Sequence, residues 1–316
     1  MSIVPSVTIG EEIGRYGFGG GHPFGPHRMM DFWQEAKKQG LDSQVNILNP
    51  VKATSEEIAR FHTPEYIELV QNRSITGEGY LDGGDTPAVP GIYDSAAYVV
   101  GSALDATHRI MSKKSNRVFI PIAGLHHARP HTAGGFCVFN DAGVVINTLR
   151  EEYNIQRIAY IDIDAHHGDG VFYAFESDPD LIFVDTHQDG NTIYPGTGHA
   201  NETGLGAAKG TKLNIPLPPG TDDSSYFRLL PKITEFITNA EPEFIIIQCG
   251  ADSIAGDPIT DMRLSPTVHY TVTSRVIQIA DHLGHGRVLA TGGGGYNPHN
   301  IGVGWSSVVK AFIDYQ

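Results

Sequence analysis

Short apolar runs alternate along the chain with longer segments whose apolar residues recur at helical spacing. Runs of strand length fall at 117–122, 157–163, 181–186, 211–217, 244–249 and 287–291. Between them, 140–153 places Ala142, Val145, Ile146 and Leu149 on one face and reaches Arg150 near its end. Residues 223–239 align Tyr226, Leu229, Leu230, Ile233, Phe236 and Ile237 in the same way. Thr54-Ser-Glu-Glu57 has the pattern of a capping box ahead of Ile58, Phe61 and Tyr66, and Pro266 to His282 predicts a further helix. Strands alternating with helices predict an α/β fold on a largely parallel sheet. No repeat, low-complexity tract or linker divides the chain. Residues 1–316 are expected to form one domain, with the first ~90 supplying helices and loops around the sheet.

Four of the runs give way to polar segments. After 117–122 comes Ala123-Gly-Leu-His-His-Ala-Arg-Pro130, and after 157–163 come Asp164, His166, His167 and Asp169. After 244–249 comes Gly250-Ala-Asp-Ser-Ile-Ala-Gly-Asp-Pro258, and after 287–291 comes Gly292-Gly-Gly-Gly-Tyr-Asn-Pro298. Ligands of open parallel sheets bind beyond the carboxyl ends of the strands. Four segments would therefore deliver histidines, carboxylates and a tyrosine to one edge.

Period-two alternation points Asp162, Asp164 and His166 the same way. Asp162 sits between apolar neighbours, and a buried carboxylate must be paired or bind a cation. Asp164, His166 and Asp252 would supply two oxygens and a nitrogen, a donor set suited to Zn(II) or Fe(II) acting as a Lewis acid. Each feature alone has a plainer explanation. The acidic stretch could be a solvated turn, Asp252 a helix cap or Asx-turn, and His126 and His127 ordinary core or surface histidines. Asp162 and Asp169 remain after the ligands are assigned, and each could orient one imidazole. Tyr296 follows four glycines, which would let a phenol reach the site and donate to a developing oxyanion. A phosphate loop is the competing reading of that glycine run, but it lacks both the Lys-Ser/Thr of a P-loop and dinucleotide spacing.

Composition narrows the class. A net charge of −14 argues against a nucleic-acid surface and fits a cationic partner or substrate. Cys137 and Cys249 each lie in an apolar segment and read as buried reduced thiols. The start of the chain lacks the basic and apolar stretches of a signal peptide, and no apolar run approaches the ~20 residues of a membrane span. A cytoplasmic enzyme with no membrane partner is expected.

Six segments together resemble the zinc-dependent histone deacetylase family. They are Gly124-Leu-His-His-Ala128, Gly135-Phe-Cys-Val-Phe-Asn-Asp141, Ile161-Asp-Ile-Asp-Ala-His-His-Gly-Asp-Gly170, Tyr194-Pro-Gly-Thr-Gly198, Gly250-Ala-Asp252 and Gly292-Gly-Gly-Gly-Tyr296. The family includes acetoin-utilisation-type deacetylases and acetylpolyamine amidohydrolases. Gly21-His-Pro-Phe-Gly-Pro-His-Arg28 resembles its N-terminal motif, so the likeness spans nearly the whole chain.

The resemblance implies an arginase–deacetylase fold, a mostly parallel sheet of about eight strands flanked by helices. It implies Asp164, His166 and Asp252 as zinc ligands, His126 paired with Asp162, and His127 paired with Asp169. His127 would be the general base and His126 its electrostatic partner, with Tyr296 polarising the scissile carbonyl. Gly135, Phe136 and Tyr194 match the walls of an acyl-lysine tunnel, Asp85 a rim aspartate, and Arg28 an arginine near an internal product channel. A structural potassium ion is implied at Asp162, Asp164, His166, Asp185 and Thr186, where Asp185 replaces the serine common in class I relatives.

Substrate choice stays open on sequence. Polyamine-preferring members place a carboxylate at the tunnel mouth, and the matching position here is Ile259. That favours acyl-lysine in a peptide or protein over a small acylated amine, although Glu78, Asp82 and Asp85 could supply negative charge nearby. A catalytically idle acyl-lysine binding module would call for a lost ligand or a replaced Tyr296. An arginase-like ureohydrolase would need a two-metal ligand set, which is not present.

Overall fold

A computed structural model describes residues 4–315. Eight strands form one sheet, and every pair in it is parallel. They are β1 (Ser6–Thr8), β2 (Asn46–Leu48), β3 (Arg117–Ile120), β4 (Ile158–Asp162), β5 (Leu181–Gln188), β6 (Lys212–Leu217), β7 (Phe244–Gln248) and β8 (Val288–Thr291). Their spatial order is β2-β1-β3-β8-β7-β4-β5-β6. Each of the six apolar runs is a strand. Every residue of β3, β4, β5, β7 and β8 is buried, the mark of a parallel sheet covered on both faces.

β1 and β2 are strands that the hydrophobic pattern does not predict. Each has three residues, too few to establish a period, and two of the three in β2 are exposed at the sheet edge. The first ~90 residues thus add two edge strands to the expected helices and loops.

Local chemistry decides where helices break. The segment 223–239 forms two helices, Asp223–Phe227 and Leu230–Ala240, because Pro231 has no N–H to continue the first helix and is suited to the first turn of the second. The capping box at Thr54 is formed, with Glu57 N–H donating to Thr54 Oγ1 and Thr54 N–H donating to Glu57 Oε2. Its helix nevertheless stops at Ile58, and the chain restarts as Pro64–Thr76 under a Thr63 cap. Helices Asp141–Tyr153 and Pro266–His282 form as expected, capped by Asn140 and Ser265.

Helix Pro298–Asp314 packs on Arg28–Lys38 and Pro266–His282. From it, the buried Trp305 indole donates to Cys249 O at 3.0 Å and Gly292 O at 3.1 Å. One side chain thereby ties the chain just past β7 to the chain just past β8. Both ends lead into the polar edge.

Candidate active site

β3, β8, β7 and β4 are consecutive neighbours, so their carboxyl ends and the loops beyond them converge. Asp164, His166 and Asp252 are buried, and one ligand atom from each lies within 4.8 Å of the others. His166 Nδ1 is 3.1 Å from Asp164 Oδ1 and 3.1 Å from Asp252 Oδ2. Donor atoms at ~2.0 Å from a tetrahedral ion stand ~3.3 Å apart, so the spacing fits a zinc-like centre. Neighbours hold the carboxylates in place. Asp164 Oδ2 accepts from Gln248 Nε2 at 2.7 Å and from Gly294 N–H at 2.8 Å, while Asp252 Oδ1 accepts the Ala165 N–H at 2.8 Å. A Cβ on Gly250 would lie 2.1 Å from Asp164 Oδ2, and one on Gly294 would lie 2.2 Å from Asp252 Oδ2. Only glycine lets the backbone approach these ligands so closely.

Charge points the same way. Burial, then the neighbouring Asp164 carboxylate, raises the Asp252 acid. His166 is driven up by Asp164 and Asp252 against the opposing effect of burial. Two carboxylates with no room for water call for a cation between them. The donor set fits a divalent metal.

Beside it stands the histidine pair. His126 Nδ1 lies 2.8 Å from Asp162 Oδ2, His127 Nδ1 lies 2.7 Å from Asp169 Oδ1, and the two Nε2 atoms are 3.0 Å apart. Carboxylates at both Nδ1 atoms fix the tautomers and leave Nε2 as the reactive edge. The two carboxylates differ in their surroundings. Asp162 accepts from the Tyr160 hydroxyl at 2.8 Å, whereas Asp169 accepts from Arg129 Nη2 at 2.8 Å. Burial lowers both imidazoles, but Asp162 and Asp164 outweigh it at His126 and push that ring up to about 10. At His127, burial followed by the charge of His126 brings the ring down to about 4. The surroundings thus favour the protonated form of His126 and the neutral form of His127.

Tyr296 is set between Phe24 and Phe136, with ring centroids 6.4 Å and 6.0 Å away in edge-to-face contacts. Its N–H donates to Asp257 Oδ2 at 2.8 Å. Arg28 is fully buried under the glycine run, donating from Nε to Gly295 O at 2.9 Å and from Nη2 to Gly293 O. Its guanidinium carbon lies 3.9 Å from the centre of the Phe24 ring.

Phe136 has φ +69, unusual for a residue with a side chain. Three bonds hold it there. The Tyr16 hydroxyl donates to Phe136 O at 2.8 Å, Phe136 N–H donates to Thr86 Oγ1 at 3.1 Å, and Val138 N–H donates to the Tyr16 oxygen at 3.0 Å. Gly135, at φ +51, lies against the His127 ring, and the Tyr194 ring centre is 5.1 Å from that of His127.

Outward from these residues lies a cavity of about 540 Å³, lined by Asp82, Asp85, Arg129 and Tyr194 among others. Asp82 Oδ1 accepts the N–H groups of Gly84, Asp85 and Thr86, so that carboxylate is engaged by its own loop. Burial, then Asp82, raises Asp85 to about 6. Ile259 is 39 % exposed, and its N–H donates to Asp257 Oδ1 at 3.1 Å.

The residues expected to hold potassium meet where β4 and β5 pair, Asp162 opposite Asp185. Two of their side chains are already engaged. Asp185 Oδ1 lies 2.6 Å from His187 Nδ1 and its Oδ2 accepts the Gly168 N–H at 2.8 Å, while Thr186 Oγ1 lies 3.0 Å from the Tyr226 hydroxyl. Each Asp185 oxygen keeps a further lone pair beside these bonds.

Sequence reasoning passed over Gln248, Arg129 and Asp257. Gln248 had a signal, a polar residue closing the apolar run Phe244-Ile-Ile-Ile. Arg129 and Asp257 act through spatial neighbours 40 and 39 positions away, a relation that no local pattern carries.

A parallel α/β sheet with an Asp-His-Asp metal cluster and carboxylate-backed histidines at its strand ends defines a metal-dependent hydrolase. The histone deacetylase domain matches residues 22–312, and the chain belongs to the histone deacetylase family. It is 33% identical over 299 residues to a probable deacetylase of Archaeoglobus fulgidus, covering 93% of this chain and 82% of that protein. Acetoin utilization protein AcuC of Staphylococcus xylosus is 33% identical over 325 residues, with 100% and 84% covered. Histone deacetylase clr6 of Schizosaccharomyces pombe is 33% identical over 310 residues, with 95% and 75% covered. The crystal structure of the HDA15 HD domain superposes with a TM-score of 0.89 at 25% identity, covering 100% of this chain and 91% of that one. The chain is thus a deacetylase of this hydrolase family. Among the described residues, no helix is long and apolar enough to cross a membrane.

Proposed function

We propose that the protein removes acetyl groups from the ε-amine of lysine in peptides or proteins, with zinc as its metal. The observation that carries the chemistry is the buried Asp164, His166 and Asp252 cluster beside two carboxylate-backed imidazoles. A zinc ion held by those three residues would supply Lewis acidity to the acyl carbonyl and the attacking water. His127 takes the proton of that water on Nε2 as the oxygen adds to the carbonyl carbon, and Asp169 steadies the imidazolium that forms. The Tyr296 phenol donates to the carbonyl oxygen as negative charge builds there. His126, whose protonated form Asp162 favours, would lower the cost of that charge. A proton from the pair reaches the departing nitrogen as the C–N bond breaks, releasing acetate and a free amine. A potassium ion would be held by Asp162, Asp164, His166, Asp185 and Thr186 where β4 and β5 pair. The two free, buried cysteines support a reducing compartment, the cytoplasm.

The rim supports a peptide over a polyamine. Asp82 is engaged by three amides of its own loop, Ile259 carries no charge, and Arg129 is bonded to Asp169. That leaves Asp85 as the rim carboxylate available to accept from a peptide amide. Steady-state turnover of the zinc-loaded enzyme on an acetyl-lysine peptide and on N-acetylputrescine tests the assignment. The peptide should be preferred in kcat/KM by about tenfold or more. A reversed preference would overturn the substrate, and no turnover of either would overturn the function.

A further inference from the structure

Tyr296 ends a run of four glycines, and two of them, Gly293 and Gly295, have φ +76 and +127. Such a backbone has many accessible states and does not by itself fix the residue after it. Among the described residues, no group bonds the Tyr296 hydroxyl, whose place is therefore set by ring packing and by its backbone. Arg28 and Asp164 hold the glycines before it, and the Tyr296 amide itself is held by one further side chain. Asp257, 7 % exposed, accepts the Tyr296 N–H on Oδ2 at 2.8 Å and the Ile259 N–H on Oδ1 at 3.1 Å. The same two loops are joined by Asn297 Nδ2 donating to Gly256 O at 3.0 Å and by Asn300 Nδ2 donating to Ile254 O at 3.1 Å. The loop that carries Asp257 starts at the ligand Asp252, whose carbonyl accepts the Thr260 hydroxyl at 2.5 Å. Asp257 is thus the carboxylate shared by the loop that carries Asp252, the exposed Ile259 and the backbone of Tyr296.

We propose that Asp257 is a positioning residue, fixing the Tyr296 phenol and the exposed Ile259 relative to the metal ligands. The proposal rests on the reading of Tyr296 as the oxyanion donor. A charged acceptor holding two amides is stronger than a neutral one, and Asp257 itself is nearly buried. Asparagine at this position keeps the shape but turns an N–H donor toward one of the two amides. The phenol would then lose its fixed distance to the reacting oxygen, and a misplacement of about 1 Å costs ~10² in rate.

The test is a double-mutant cycle on the metal-loaded enzyme, using whichever of the acetyl-lysine peptide and N-acetylputrescine turns over faster. Asp257→Asn should lower kcat about 10- to 100-fold, with KM and bound metal changed less than about twofold. In a Tyr296→Phe background the same substitution should cost less than about twofold, because the group it positions is gone. An equal loss in both backgrounds, a loss that tracks metal content, or an unchanged kcat would overturn the proposal. Should the Asn variant fail to fold, Asp257→Ser keeps one acceptor in less volume and is subject to the same criteria. If Tyr296→Phe alone turns over at the wild-type rate, the role of the phenol fails and this proposal fails with it. A slow Tyr296→Phe enzyme beside a fast Asp257→Asn enzyme refutes Asp257 alone.

Discussion

His62 packs against Phe139 and Tyr66, with ring centroids 5.1 Å and 5.5 Å away, and its Nε2 accepts the Asn140 N–H at 2.8 Å. That bond requires a neutral ring, and burial brings His62 from 6.5 down to about 3. Between those values the unfolded chain binds a proton that the folded chain refuses, so stability rises with pH across the window. The contribution is complete above about pH 6.5 and is lost as pH falls toward 3. His62→Gln keeps an acceptor for Asn140 and removes the titration. Urea unfolding at pH 5, 6 and 7 should show a slope against pH shallower by up to about 1.4 kcal/mol per unit than wild type. Parallel slopes would show that His62 takes up its proton equally in both states. At this scale, the sequence made legible the residues whose chemistry is local, such as Asp162, Asp164 and His166 on one strand end. It marks Gln248 only as a polar end to an apolar run and is silent on Arg129 and Asp257, whose partners are brought near only by the fold.

Helix Pro298–Asp314 joins the ends of two strands through Trp305. Trp305→Phe would leave Cys249 O and Gly292 O without that donor and would open space beside them. We expect a loss of about 1–3 kcal/mol from the unpaired carbonyls, increased by the cavity. Chemical denaturation measures it, and a change below about 0.5 kcal/mol would show that water or a neighbour replaces the indole. The legibility of elements followed burial and length. Strands buried on both faces wrote continuous apolar runs, whereas three-residue β1 and β2 left no period to read. The pattern over 223–239 was correct in its buried face, but its continuity was broken by Pro231.

At the scale of the whole molecule, the charge of −14 surrounds a mouth whose Arg129 is already bonded to Asp169, leaving Asp82 and Asp85 uncompensated on its wall. The long-range field and the mouth should therefore both favour a cationic substrate. For an acetyl-lysine peptide flanked by Lys and Arg, kcat/KM should fall several-fold as ionic strength rises from about 0.02 to 0.5 M, with kcat little changed. A neutral peptide should show no such decline. Equal salt dependence for both would mean that salt acts on the enzyme rather than on the encounter.

The position of β8 bears on how the protein is made. Residues 288–291 are the last strand in chain order, yet they lie in the middle of the sheet, between β3 and β7. Until the ribosome has released them, the nascent chain holds two part-sheets, β2-β1-β3 and β7-β4-β5-β6, each with an open inner edge. The histidine pair comes after β3, and all three metal-binding residues come after β4 or β7, so the two groups belong to different halves. The final strand closes the seam between them and brings Tyr296 with it. The site is therefore complete only once β8 and the segment carrying Tyr296 have been made.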